Sequence, residues 1–197
     1  MTSRLHPGGL QHKYGLDPDL TTLGKYIGGG LAFGAFGGKQ HLLKSYDPRQ
    51  ASSMPHSGTF NNNTLAMNCG YTGLSQIYTD TANRELNALG DYMRESLATL
   101  FQGTKMVATG IGAVCAIHFL SSAKPPTCER HIEDYSLDGG LKKLLWHWCL
   151  QRGYWITERG MVSIVLGTAH SEIDGFILVV RLFIEKYGHL FKEEGSS

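Results

Sequence analysis

An excess of charge of one sign is the first thing this sequence lacks. Eighteen Lys and Arg against seventeen Asp and Glu leave a formal charge of +1. No block of like charges occurs, so neither an acidic tail nor a nucleic-acid footprint is expected. Paired cysteines are lacking as well. Cys69, Cys115, Cys128 and Cys149 form no C-x-x-C pair and read as reduced thiols of a cytoplasmic protein. The start, Met1 to Gly9, is polar, basic and Gly-Pro, with no apolar leader segment. The apolar run near the C-terminus, Phe176 to Val180, stops at Arg181, far short of the roughly 20 residues that cross a bilayer. The nine histidines show no H-E-x-x-H or comparable spacing, and no metal site is expected. His147 and Cys149 fall within a helical stripe.

What the chain has in abundance is glycine. It holds 25 among 197 residues, nearly twice the average share of roughly 7%. Ten fall within the first forty: Gly8, Gly9, Gly15, Gly24, Gly28, Gly29, Gly30, Gly34, Gly37 and Gly38. There is no G-X-Y period, which excludes collagen. At 42% hydrophobic and 18% charged residues, the chain can bury a core. Its length suits one large domain or two small ones.

Two halves read differently. Residues 1–80 are Gly-rich and loop-heavy, with short strands expected at Leu20–Thr22 and Ala32–Phe36. Asn63 suits a helix N-cap, and Leu65, Cys69, Ile77 and Tyr78 then share one helical face. Residues 81–197 read as a compact α+β unit. Leu86, Leu89, Met93, Leu97, Leu100 and Phe101 form an amphipathic stripe ended by Gly103. Strands are expected at Met106–Thr109 and Ala113–Leu120. Leu137, Leu141, Leu144, Leu145 and Trp148 mark a second helix closed by Gly153. Further strands are expected at Tyr154–Thr157 and Met161–Leu166. Ser171 and Asp174 resemble a capping pair, after which Ile173, Ile177, Val180, Ile184 and Tyr187 line a final helix. This order predicts an antiparallel sheet with helices on one face.

The glycine-rich start invites a nucleotide loop, and spacing removes it. The Walker pattern needs glycine where Asp19 stands and Ser or Thr where Tyr26 stands. The dinucleotide fingerprint, started at Gly28, needs glycine at Phe33. What remains is Lys25 between an apolar strand and a glycine cluster. Taken alone, Lys25 suits either a surface turn or a desolvated, nucleophilic amine able to form a Schiff base. Tyr26, Phe33 and Phe36 read as packing residues, and Arg4 is left unassigned.

The segment from Asp19 through Leu23-Gly24-Lys25-Tyr26-Ile27-Gly28-Gly29-Gly30 to Gly38 resembles the cofactor-lysine segment of class III, fold-type I pyridoxal-phosphate (PLP) aminotransferases. The glutamate-1-semialdehyde aminomutases and β-amino-acid aminotransferases are the most similar groups. Three further segments are similar to the same family: His56-Ser57-Gly58-Thr59-Phe60-Asn61-Asn62-Asn63, the stretch Gly110 to Phe119, and the stretch Glu158 to Leu166 before Ser171-Glu172-Ile173-Asp174.

The resemblance implies an α/β chain: the C-terminal part of a fold-type I transferase. Residues 1–80 would be a remnant of the large mixed-sheet, PLP-binding domain, and 81–197 the small α+β domain. Lys25 matches the Schiff-base lysine, at once cofactor-binding and catalytic, moving a proton between substrate and cofactor carbons. Thr59 matches the threonine that binds the cofactor phosphate of the neighbouring subunit, which implies a homodimer with sites at the interface. Arg159 aligns with an arginine that binds the substrate carboxylate, and a guanidinium suits a planar carboxylate. Amino-acid and keto-acid substrates follow.

Family members carry further elements ahead of this stretch: an aspartate facing the pyridine nitrogen, a phosphate loop and a stacking aromatic residue. The expectation is therefore an incomplete pocket. Activity is expected from a longer or complemented chain, with a non-catalytic truncated fragment as the contrasting reading. Amino transfer, internal amine migration and racemisation all stay open as reactions.

Overall fold

A computed structural model describes residues 2–120 and 139–191. Cys128 and Leu137 lie outside the described residues. The chain divides into two compact units, Met1–Arg84 and Glu85–Ser197.

In the first unit, α1 (Gly9–Lys13) leads to β1 (Leu20–Gly24), which pairs antiparallel with β2 (Gly34–Gly38) in the register Leu20↔Gly38 to Gly24↔Gly34. β1 starts at the expected Leu20 and runs two residues further, whereas β2 lies two residues later than expected at both ends. At the open end of the pair, the Lys39 amide donates to the Asp19 carbonyl at 2.9 Å. The Lys39 ammonium also meets Asp19 at 2.8 Å and Asp17 at 3.2 Å. A short helix, α2 (Gln40–Leu43), follows.

Helix α3 (Thr64–Thr72) starts as the sequence predicts, with Asn63 Oδ1 accepting from the Ala66 amide at 3.1 Å. Its buried face is another matter. Ala66 and Gly70 are buried, whereas Leu65 is 64% and Ile77 59% exposed. The helix therefore packs through its small residues, and of the expected stripe Leu65 and Ile77 face outward while Cys69 and Tyr78 are half-buried. Gly70 makes this close approach possible, because a β-carbon there would strike the Ile27 carbonyl oxygen. The last turn widens over Gly73–Ile77, closed by the Tyr78 amide on the Gly73 carbonyl at 2.7 Å. Among the described residues, Ala66 is the only buried apolar side chain of this unit.

The second unit holds a continuous apolar core. The unit boundary falls inside α4 (Asp80–Leu100), whose first turn is capped by Thr79 Oγ1 accepting from the Ala82 amide at 3.2 Å. The expected stripe is in place, with Leu86, Met93, Leu97 and Phe101 buried. The helix gives way to Gly103 at φ 72. Strands β3 (Met106–Ile111), β4 (Val114–Phe119) and β5 (Met161–Ser163) form an antiparallel sheet in the order β3-β4-β5. The β3–β4 turn is tied to α4: the Ala113 amide donates to Asn87 Oδ1 at 3.0 Å and the Gly112 amide to Asp91 Oδ1 at 3.1 Å.

Helices α5 (Gly139–Leu150) and α6 (His170–Tyr187) complete the unit. Trp148 of α5 donates from its indole to the Val179 carbonyl of α6 at 2.9 Å. Phe119, Phe183 and Phe191 meet with ring centroids 5.2 to 6.1 Å apart. Each such buried side chain contributes about 1.5–3 kcal/mol.

Two expectations fail here. Tyr154–Thr157 is not a strand, and β5 spans only Met161–Ser163. The intended partners curl on each other instead: the Thr157 amide bonds the Met161 carbonyl at 3.0 Å, and the Met161 amide bonds Thr157 Oγ1 at 2.8 Å. The cap of α6 is also supplied two residues earlier than expected. Glu172 accepts from the Ala169 amide at 2.7 Å, while Ser171 and Asp174 lie inside the helix.

Candidate active site

Lys25 opens the tight turn Lys25–Gly28 that leaves β1. Gly24 before it is fully extended, and Gly29 after it is left-handed, its amide closing on the Tyr26 carbonyl at 2.9 Å. Lys25 itself has φ 60. A residue with a β-carbon pays about 1–2 kcal/mol for that conformation. Among the described residues only Asn62, at φ 54, shares it without being glycine. Outliers of this kind gather at functional sites.

Of the two readings the sequence left open for Lys25, a surface turn or a desolvated amine, the described residues show an exposed side chain, with Leu20 and Leu23 of β1 exposed beside it. Gly29 lies against Cys69 of α3: a β-carbon there would sit 2.5 Å from the Cys69 carbonyl group. Together with Gly70 against Ile27, this seats the lysine turn directly on the helix.

Thr59 is exposed in the loop before α3. The loop turns at Gly58, whose carbonyl accepts from the Asn61 amide at 3.0 Å. Its upstream end is pinned to β2. His56 sits edge-on to Phe36 at 5.4 Å and to Tyr46 at 5.9 Å, and those two rings meet at 5.4 Å. Phe36 is opposite Thr22 on β1. Lys25 thus follows β1 directly, and the loop that holds Thr59 touches β2 through His56, both within the first unit.

Arg159 belongs to the second unit. It is exposed in the tight turn between Thr157 and Met161, where the Gly160 amide closes on the Thr157 carbonyl at 2.9 Å. Its Nη2 lies 3.9 Å from Met161 Sδ. The neighbouring Glu158 pairs with Lys143 at 3.6 Å.

One group of residues escapes the sequence reading. Tyr26, read there as packing, donates from its hydroxyl to Ser3 Oγ at 2.7 Å and sets its ring edge against Tyr78 at 4.9 Å. Tyr78 donates to the Arg4 carbonyl at 2.7 Å. Asn83, only 2% exposed, donates to the carbonyls of Ser3 and Arg4 at 3.2 and 3.0 Å and to the Tyr78 oxygen at 2.6 Å. Burial, with the nearby Tyr26 phenol adding to it, pushes the Tyr78 phenol up to about 12. The signal was available. Asn83 stands three residues before Leu86 on the same buried stripe of α4, and a polar residue there must find partners.

The sequence profile of class-III aminotransferases matches residues 9–167, and the chain belongs to that family. An uncharacterized aminotransferase of Schizosaccharomyces pombe is 46% identical over 190 residues, covering 94% of this chain and 42% of that protein. The β-phenylalanine transaminase of Variovorax paradoxus is 40% identical over 193 residues, covering 96% of this chain and 43% of that protein. The crystal structure of that organism's β-phenylalanine aminotransferase superposes with a TM-score of 0.89 over 99% of this chain and 45% of its own. A glutamate-1-semialdehyde 2,1-aminomutase of Methanocella arvoryzae is 29% identical, covering 84% of this chain and 38% of that protein. The chain thus spans less than half the length of these relatives, and its architecture is part of the transaminase fold that they share.

Proposed function

We propose that this chain is part of a PLP-dependent aminotransferase that moves an amino group between a β-amino acid and a keto acid. Lys25 holds the cofactor through its aldehyde, Thr59 holds the phosphate, and Arg159 receives the substrate carboxylate. The observation that carries this reading is the placement of the two non-glycine residues with left-handed backbone. Among the described residues, the only non-glycine positions with left-handed backbone, Lys25 and Asn62, fall within the two segments that resemble the cofactor-binding motifs.

The donor set suits the group. An exposed primary amine on a tight turn can condense with an aldehyde. An exposed hydroxyl beside a glycine can meet a phosphate. Bound PLP supplies an electron sink for charge that develops at the substrate carbon. Lys25 Nζ, once released, takes the proton from that carbon and returns one, general acid–base work by a positioned amine. Arg159 offers two parallel N–H donors, which orient a carboxylate as well as attract it. The proposed active form is a homodimer of the longer protein, with Thr59 serving the partner subunit's cofactor. Its proposed setting is the cytoplasm, where Cys69, Cys115 and Cys149 stay reduced.

The test is spectroscopic first. PLP added to the purified chain gives a visible band that Lys25→Ala abolishes; a soluble chain without any band overturns the assignment of Lys25. The longer form should then convert β-phenylalanine with 2-oxoglutarate. Arg159→Ala should raise KM more than it lowers kcat, and unchanged kinetics remove Arg159 from this role. The likeness to a 2,1-aminomutase favours internal amine migration as the second reading. Product formation without a keto acid would select it.

A further inference from the structure

We infer that Tyr78 and Asn83 are positioning residues for Lys25, acting through Tyr26 and the main chain of Ser3 and Arg4. This rests on the proposed role of Lys25. The left-handed Lys25 is held only if its surroundings over-determine it. A hydrophobic core does not do this, since Ala66 is the single buried apolar side chain described in this unit. The far end of the turn is held by the close seat of Gly29 on Cys69. The near end, beside the lysine, is held by Tyr26.

The chain of contacts runs in one direction. The Tyr26 hydroxyl donates to Ser3 Oγ at 2.7 Å. The main chain around Ser3 is in turn fixed at two carbonyls, by Asn83 at 3.2 and 3.0 Å and by Tyr78 at 2.7 Å. Tyr78 closes the loop by meeting the Tyr26 ring edge-on at 4.9 Å. Its proton is committed to the Arg4 carbonyl, so its oxygen accepts from Asn83 at 2.6 Å. The phenol, at about 12, remains a neutral donor throughout the physiological range. Asn83 is the buried root, reaching from α4 to a segment 79 and 80 positions away in sequence. Removing one hydroxyl loosens the turn without emptying any core.

The experiment compares the full chain with Tyr26→Phe and Tyr78→Phe, each of which deletes one oxygen. Two readouts are taken. One is the attachment of PLP to Lys25, trapped with borohydride and mapped by peptide, with the pH midpoint of the visible band. The other is amide hydrogen exchange over residues 24–30, which needs no cofactor. Both variants should slow attachment and speed local exchange by about tenfold, the equivalent of one hydrogen bond. The pH midpoint of the band should move, and exchange over 85–191 should not change. Tyr26→Phe combined with Ser3→Ala should be no worse than either alone. Wild-type attachment and an unmoved midpoint in both variants overturn the inference, as does exchange that quickens across the whole first unit. If the wild-type chain takes up no PLP at Lys25, the proposed function fails. Exchange then still decides the positioning: unchanged rates at 24–30 overturn it, and confined acceleration supports it.

Discussion

A β-carbon placed on Gly29 would stand 2.5 Å from the carbonyl group of Cys69. Gly29 is also left-handed, at φ 62, so a side chain there meets both a backbone clash and a disfavoured conformation. Gly29→Ala should lower the stability of the first unit by about 2 kcal/mol or more. Gly34, with no described atom within 4 Å of an added β-carbon, is the control. Gly34→Ala should stay within about 1 kcal/mol of the parent. Urea titration of both variants separates the two glycines.

Lys25 should be a site where stability and function oppose each other. Its φ of 60 is natural for glycine and strained for lysine. Lys25→Gly should stabilise the first unit by about 0.5–1 kcal/mol, the strain relieved less the chain entropy that glycine brings. The same change should abolish PLP attachment. A thermal melt read beside the visible spectrum checks both.

The two units should differ in resistance to proteases. Apart from Ala66, every buried apolar side chain described belongs to residues 86–191. The first unit instead exposes Phe60 at 84%, Tyr71 at 71%, and Leu16 and Leu65 at 64%. Local opening is least costly where few apolar contacts are lost. Limited proteolysis should cut within residues 1–80 and leave a C-terminal fragment. Equal resistance along the chain would contradict this.

The Trp148 indole is worth more than its area. It donates to the Val179 carbonyl at 2.9 Å and carries the Arg152 guanidinium 3.1 Å above its ring. Trp148→Phe should cost about 1–2 kcal/mol for the lost bond, and Trp148→Ala about 3–5 kcal/mol with the cavity added. Denaturation followed by circular dichroism measures both.

Alkali should unfold the second unit through its thiols. Burial pushes Cys115 from 9.0 up to about 11 and Cys149 up to about 12, with Arg94 and Arg152 pulling weakly the other way. Both folded values lie above the unfolded one. Their stabilisation is therefore complete below pH 9, where both states hold the proton. It is lost as pH rises from about 9 through the folded values of about 11 and about 12, because the unfolded chain ionises first. The urea midpoint should fall across that window, and less steeply in Cys149→Ala. At neutral pH, Cys69, which is only partly buried, should alkylate before either of them.

Helices with a long apolar period were legible from the sequence. Leu86, Met93 and Leu97 on α4, and Ile173, Ile177, Val180 and Ile184 on α6, are buried as their spacing predicts. Short elements were not. Tyr154–Thr157 has the β-rich composition of a strand, yet the Thr157 hydroxyl and carbonyl are drawn into a turn around Arg159. Leu65 on α3 and Ile77 in the widened turn after it fit a stripe by spacing, but Gly70 and Ala66 offer the closer approach and become the buried face.

The sequence by itself determined the family, since a motif needs only residue types in order. The segments around Lys25, Thr59 and Arg159 carry that family likeness, and the roles of the three residues are the proposal that rests on it. Tertiary structure alone decided what the glycines beside Lys25 do, because a close approach between Gly29 and Cys69 exists only once two distant segments meet. It alone exposed the strain at Lys25, a property of backbone angle with no trace in composition. And it alone joined Tyr26 to Ser3, Tyr78 and Asn83, because hydrogen bonds across 75 or 80 residues follow from packing and have no period to read.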